Sequence, residues 1–159
     1  MTVFCADEQR RPLDLDHLRR LADFVMSDRR VPDVMELSVL CVDRDAIAAL
    51  NAHHLDSDGP TDVLAFPIDL PGETPPNEPA ILGDVVLCPE VAAEQAPAHG
   101  TTVEAELELL LVHGILHLLG HDHAEDAERE RMFQLTDRLL ADFRATGAGT
   151  GPPATMSER

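Results

Sequence analysis

The sequence predicts a single α+β domain, in which a small mixed β-sheet is packed by helices around a buried central helix. Three observations predict it. Short runs rich in branched residues intermix with amphipathic helical stretches, without strict βαβ alternation. The 159 residues are 44% hydrophobic, which suits one domain with a sizeable core. The stretch ending near Leu119 is apolar on almost every side, as a helix buried on most sides must be.

Taken in order, residues 2–5 read as a short first strand. Asp14 caps a helix over residues 15–28, whose Leu15, Leu18, Leu21, Ala22 and Val25 recur at helical spacing. Residues 37–42 form a buried strand rich in branched side chains. Asp43 caps a helix over residues 46–55 that ends in His53 and His54. Adjacent histidines point to different faces of a helix and chelate poorly, so these two are read as surface or local hydrogen-bonding residues. Asp58, Gly59 and Pro60 make a turn. Residues 61–68 form a strand, and the four prolines of residues 71–80 mark a loop. Residues 81–88 are another strand, in which Gly83 marks a bulge or a close approach. Pro89 suits the first turn of a helix that stops at Pro97. Thr101 and Glu104 make a capping box that opens the central helix, which runs to about Leu119. Its early face carries Glu104, Glu106 and Glu108. Residues 124–144 form a last amphipathic helix, with Met132, Leu135, Leu139 and Leu140 facing in. The domain spans residues 1–146, and the Gly/Pro/Thr-rich residues 147–159 read as a disordered tail.

The chemistry is concentrated in residues 113–123, HGILHLLGHDH. His113 and His117 stand i, i+4, one turn apart on one helix face, the spacing that lets two imidazoles share a metal ion. Gly120 can take positive φ and end the helix, so the chain can swing a third imidazole back. On a continuing helix His121 would lie about 12 Å along the axis from His113, too far for one ion bonded at about 2.0–2.1 Å. His123 is further into the turn, so His113, His117 and His123 are assigned as ligands, with His121 the alternative. Three imidazoles leave zinc an open position, which is the catalytic pattern. Asp122 can hold a ligand imidazole or cap the next helix. The spacing also matches the zinc-peptidase pattern H-E-x-x-H-x-x-G-x-x-H, except that Gly114 stands where the general-base glutamate would be. Metal-dependent hydrolysis is expected, and the peptidase mechanism is not.

Composition narrows the partners. Aromatics are 3%, with no Trp or Tyr, so base stacking plays little part. The formal net charge is -18, with 12 basic residues against 30 acidic ones, so binding of phosphate needs a local basic patch, a metal or a partner. Arg10, Arg11, Arg19, Arg20, Arg29 and Arg30 form one candidate surface. Cys5, Cys41 and Cys88 suggest no disulfide framework, and a reducing cytoplasm fits. The N-terminus lacks a signal-peptide pattern, and no apolar run is long enough for a membrane helix.

HGILHLLGHDH closely resembles the signature of the YbeY family, bacterial endoribonucleases that act as rRNA maturation factors. PTDVLAFP at 60–67 and LGDVVLCPEVA at 82–92 are similar to that family too, and the likeness runs from about residue 35 to residue 145. The resemblance implies a zincin-like fold, one Zn2+ per chain, and a single-strand endoribonuclease acting in small-subunit rRNA 3′-end maturation and ribosome quality control. The partners it implies are rRNA, the small ribosomal subunit and its assembly factors. Two departures stand out. Leu55 occupies a position where the family commonly carries an arginine, and Ala65 replaces its usual serine. Asp62 remains at the mouth of the strand as the candidate catalytic carboxylate, with capping of the turn as its other role. Two other readings are a zinc-dependent peptidase or amide hydrolase, and a non-catalytic assembly factor stapled by zinc.

Overall fold

A computed structural model describes residues 2–55, 59, 61–75, 77–121, 124–147 and 152–156, with the side chains of His54 and Leu55 left out. Along the chain run β1 (Thr2–Glu8), α1 (Leu15–Asp28), β2 (Met35–Val42), α2 (Arg44–Leu55), β3 (Val63–Pro67) and β4 (Ala80–Leu87). There follow α3 (Pro89–Gln95), a 3-10 turn (Pro97–His99), α4 (Val103–Leu118) and α5 (Asp126–Ala145). The α+β expectation holds. The four strands form one sheet in the order β1-β2-β4-β3. β1, β2 and β4 are parallel, and β3 lies antiparallel to β4 at the edge.

The period-2 alternation of the strands sends Leu37, Val39 and Cys41 of β2, with Val85 and Leu87 of β4, to one face. That face receives α1 and α4, and α5 packs on those two helices. α4 is buried almost throughout and contacts α1, α3, α5, β3 and β4. On the other face α2 closes a smaller cluster of Val42, Ile47, Leu64 and Val86.

Gly83 fulfils both of its expected roles. The register slips between Glu36 and Leu37 where they face Ile81 and Gly83. A Cβ on Gly83 would collide with the Phe66 carbonyl oxygen and lie 2.9 Å from Leu118 Cδ2. Only glycine lets β3 and α4 close together there.

Three local expectations differ from the fold. β1 runs three residues beyond Cys5, because parallel pairing with β2 continues to Glu8. The cap of α4 is Thr102, whose hydroxyl accepts the Ala105 N–H at 3.1 Å, one residue later than the Thr101–Glu104 box. Finally, residues 152–156, expected within a disordered tail, lie against the domain. Ala154 is buried, Met156 packs on the core, and the Met156 N–H donates to Asp137 Oδ1 at 2.6 Å.

Candidate metal centre and catalytic cleft

The last two turns of α4 build the centre. His113 and His117 are both half-buried and line a cleft of about 400 Å³, whose opposite wall is β3 with Val63, Ala65 and Pro67. The α4 turns around them are apolar and packed on the sheet, which holds the two rings at fixed positions.

The rings stand 84° apart in plane with centroids at 4.6 Å. Their Nε2 atoms are 3.1 Å apart. Two nitrogens on one tetrahedral zinc, each bonded at about 2.0–2.1 Å, are separated by about 3.3 Å. The pair therefore already has the spread of two ligands of one ion, and the residues fit zinc.

Gly120 closes the helix as expected. Its φ is +94°, its N–H donates to the His117 carbonyl at 3.0 Å, and the His121 N–H donates to the Leu116 carbonyl at 3.0 Å. This is a Schellman pair of hydrogen bonds, which satisfies the last carbonyls and turns the chain. His123 and Asp122 lie outside the described residues, so the third expected ligand has no described position. Among the described residues no group of three or more metal-binding side chains comes together. The alternative ligand His121 is not among the residues lining the cleft. Burial and the charge of Arg29 push its imidazole to give up its proton more readily.

Asp62 lines the same cleft and is its one carboxylate among the described residues. Its backbone is pinned where the Cys88 N–H donates to the Asp62 carbonyl at 3.0 Å. Burial raises the affinity of the carboxyl for its proton, and the charge of Glu106 adds to that. Backbone N–H groups of Val63 and Asp62 and the Thr61 hydroxyl, 3.4 Å from Oδ1, oppose it. A carboxylate with raised proton affinity is a better base near neutral pH. Ala65 lines the cleft and offers it no polar side-chain group.

Other sequence expectations separate from this site. His53 is exposed. In the arginine-rich N-terminal region, Arg19 and Arg20 pair with Asp16, and Arg29 with Asp28. Asp16 is shared by two arginines and Asp28 also pairs with Arg138, so only part of that positive charge is offset locally, which reduces the surface as a phosphate platform. A larger cavity of about 620 Å³ opens on the far face of the sheet, between Phe4 and Phe66, away from the histidines.

Reading the sequence missed two buried carboxylates on α4. Glu106 and Glu108 are almost wholly excluded from solvent. Glu108 is met by Arg144 and by His17 Nε2 at 3.3 Å. Glu106 has His99 Nδ1 at 3.3 and 3.4 Å from its two oxygens. One signal was present: Glu106 lies seven residues before His113, two turns back on the same face.

The profile described as "Endoribonuclease YbeY" matches residues 5–144. A curated relative of that description from Thermobifida fusca is 48% identical over 149 residues, which covers 91% of this chain and 95% of the relative. Another, from a Nocardioides species, is 50% identical over 150 residues, covering 91% and 99%. A protein of Thermotoga maritima solved in solution superposes with a TM-score of 0.57 at 25% identity, over 97% of this chain and 99% of that one.

Proposed function

Because the chain belongs to the YbeY endoribonuclease family, hydrolases that act on RNA with a role in rRNA processing, we propose that it is a zinc-dependent endoribonuclease of single strands. Its work is small-subunit rRNA 3′-end maturation and ribosome quality control in the cytoplasm. No helix among the described residues is long and apolar enough to cross a membrane.

The observation that carries the reading is the 3.1 Å approach of the His113 and His117 Nε2 atoms, opposite Asp62 in one cleft. His113 and His117 would hold the zinc, with His123 as the expected third ligand. A zinc ion held there would supply Lewis-acid chemistry to phosphoester hydrolysis. The protein supplies the proton carrier. Asp62 accepts the proton that the attacking water loses and returns it to the leaving oxygen as the phosphorus–oxygen bond breaks. Gly114 has no side chain to play that part, which argues against the peptidase mechanism. The charge of -18 and Leu55 in place of an arginine argue that the RNA is presented by the small ribosomal subunit and assembly factors, which carry the cations this chain lacks.

The test is metal content and cleavage of single-stranded rRNA by the wild type and His117→Ala. One zinc per chain, with both zinc and cleavage lost in the variant, supports the reading. A metal-free active protein overturns it. Zinc without cleavage, even beside ribosomal partners, leaves the assembly-factor reading in its place.

A further inference from the structure

β3 is an edge strand of the sheet, and it borders the cleft that holds the histidine pair. Two hydrogen bonds fix which way its peptides point. The Cys88 N–H donates to the Asp62 carbonyl, and the Ile68 N–H donates to the Leu82 carbonyl, both at 3.0 Å. Between them Leu64 stands opposite Val86, and Phe66 opposite Asp84. In an antiparallel pair, residues bonded to the partner strand alternate with residues that are not. Asp62, Leu64, Phe66 and Ile68 therefore turn their backbone groups to β4. Val63, Ala65 and Pro67 turn theirs to the open edge, and all three line the cleft with His113 and His117.

That open edge is poor in donors. The Val63 N–H is directed to the Asp62 carboxylate, and Pro67 has no N–H. The Ala65 N–H is left as the outward donor of β3, with the Ala65 carbonyl beside it on the same side. Unpaired edge groups of this kind are a template for pairing with another molecule. The side chains of the cleft offer a nucleotide little else. Among its described lining residues none is Lys, Arg, Phe, Tyr or Trp, so neither cationic contact to phosphate nor stacking on such rings is supplied there. His113, His117 and Asp62 are committed to the metal and the proton.

We propose that the backbone N–H and carbonyl of Ala65, on the open edge of β3, hold one unpaired base of the RNA by its Watson–Crick edge. The contact sets the adjoining phosphodiester against the histidine pair. It rests on the reading of the cleft as the place of cleavage. Each base carries a donor next to an acceptor on that edge. For adenine, the N6 amino group donates to the Ala65 carbonyl and N1 accepts the Ala65 N–H. In a duplex both groups are spent on the opposite strand, so the cleft selects single strands. The contact uses no side chain, which is why an alanine serves at this position. A peptide laid along β3 would need donors repeating at every second residue, and Pro67 ends that row after Ala65. One base fits the edge better than an added strand.

The experiment titrates the metal-free full chain with a short single-stranded oligoadenylate and with the same oligomer built from 1-deazaadenosine, which lacks only the N1 acceptor. Binding is read by fluorescence anisotropy and by the amide NMR signal of Ala65. The oligoadenylate should shift that signal and bind about five- to tenfold more tightly than the deaza oligomer, the worth of one hydrogen bond. Ala65→Pro deletes the same donor. An edge strand tolerates proline where the N–H points outward, as Pro67 of this strand shows. The variant should bind both oligomers equally, at the weaker level, with zinc content unaltered. If it does not fold, lactic acid in place of Ala65, an ester for the amide, removes the N–H and keeps the shape. A wild type that cleaves RNA yet binds the two oligomers equally, with the Ala65 signal unmoved, overturns the proposal and leaves the cleavage reading standing. So does a Thr/Val-rich peptide that shifts the signal when oligoadenylate does not. A wild type that binds as expected but, loaded with zinc, cleaves no RNA overturns the cleavage reading, and the positioning role of Ala65 falls with it.

Discussion

Gly114 of α4 lies directly against Val85 of β4. A Cβ on that glycine would stand 2.8 Å from Val85 Cγ1 and 3.2 Å from Cγ2, and 3.4 Å from Val63 Cγ2. The residue after the first histidine is therefore a point of close approach between α4 and the sheet. Its lack of a side chain is a packing requirement as well as the loss of a peptidase base. The helix that carries the histidine pair meets the sheet at this point, with Val63 of the cleft's opposite wall also alongside.

Gly114→Ala is expected to destabilise the protein despite the better helix propensity of alanine. That propensity is worth about 1 kcal/mol. Against it stands overpacking of about 1–3 kcal/mol, near the upper end here because a short branched valine cannot swing aside. Chemical denaturation should show a net loss of about 1–2 kcal/mol. RNA cleavage should fall as well, because His113 and the β3 wall are pushed apart. A variant as stable and as active as wild type would refute the packing argument.

Arg144 and Glu108 join α5 to α4 in the interior, where their side chains are 13% and 2% exposed. His17 of α1 completes the group through Nε2 at 3.3 Å and stacks edge-on against Phe143. Arg144→Met should cost about 3 kcal/mol, the lower end for breaking a buried ion pair, because it leaves the buried carboxylate with His17 but without its arginine. Replacing both residues, Glu108→Leu with Arg144→Met, should recover most of that loss, since apolar groups of similar volume tolerate the site. Urea unfolding of the two variants checks this. A double variant no more stable than the single one would show that the carboxylate is not the source of the cost.

The pattern of what was legible follows from range. The i, i+4 histidines and the helix-ending Gly120 are set by a few consecutive residues, and the fold keeps both. The strand order β1-β2-β4-β3 depends on crossovers that no local periodicity encodes. The burial of Glu106 and Glu108 was hidden for a related reason. Glutamate is read as exposed unless a partner is known, and Arg144 is 36 residues from Glu108. The cap at Thr102 rather than Thr101 is a choice between two equal neighbours, settled by how the chain leaves Gly100. Ala154 and Met156 are too few to mark their stretch as packed, and their place depends on the distant core and on Asp137 of α5, which accepts the Met156 N–H.

Acid stability should carry a small contribution from Asp28. The hydrogen bond from Arg138, at 3.0 Å to Oδ2 and 3.3 Å to Oδ1, holds the Asp28 carboxyl below its usual range. With a lowered folded value, this stabilisation is complete above the unfolded carboxylate value of about 3.9. It is lost as pH falls through the lowered folded value. The Arg138 side chain is 47% exposed, so solvent screens the pair and its worth is below about 1 kcal/mol. Arg138→Gln should lower stability slightly at neutral pH and not at all in strong acid. An equal loss at both would mean the arginine acts by packing and not by charge.

Asp62 has the opposite sign, and this separates its function from its contribution to folding. Burial, helped by Glu106, favours its protonated form in the folded chain. Ionisation therefore works against the fold at neutral pH. Stability from this group rises as pH falls through the raised folded value, and the gain is complete below the unfolded value of about 3.9. Asp62→Asn removes the ionisation and keeps the shape. It should unfold at a higher temperature than wild type at neutral pH, with the advantage shrinking in acid. The same variant should cleave RNA about 10²–10⁴-fold more slowly, the usual loss when a positioned proton carrier is removed, while its zinc content stays unchanged. Thermal unfolding at two pH values, with cleavage and metal assays on the same preparations, tests both halves. A variant less stable than wild type at neutral pH, yet fully active, would return Asp62 to the role of a turn cap.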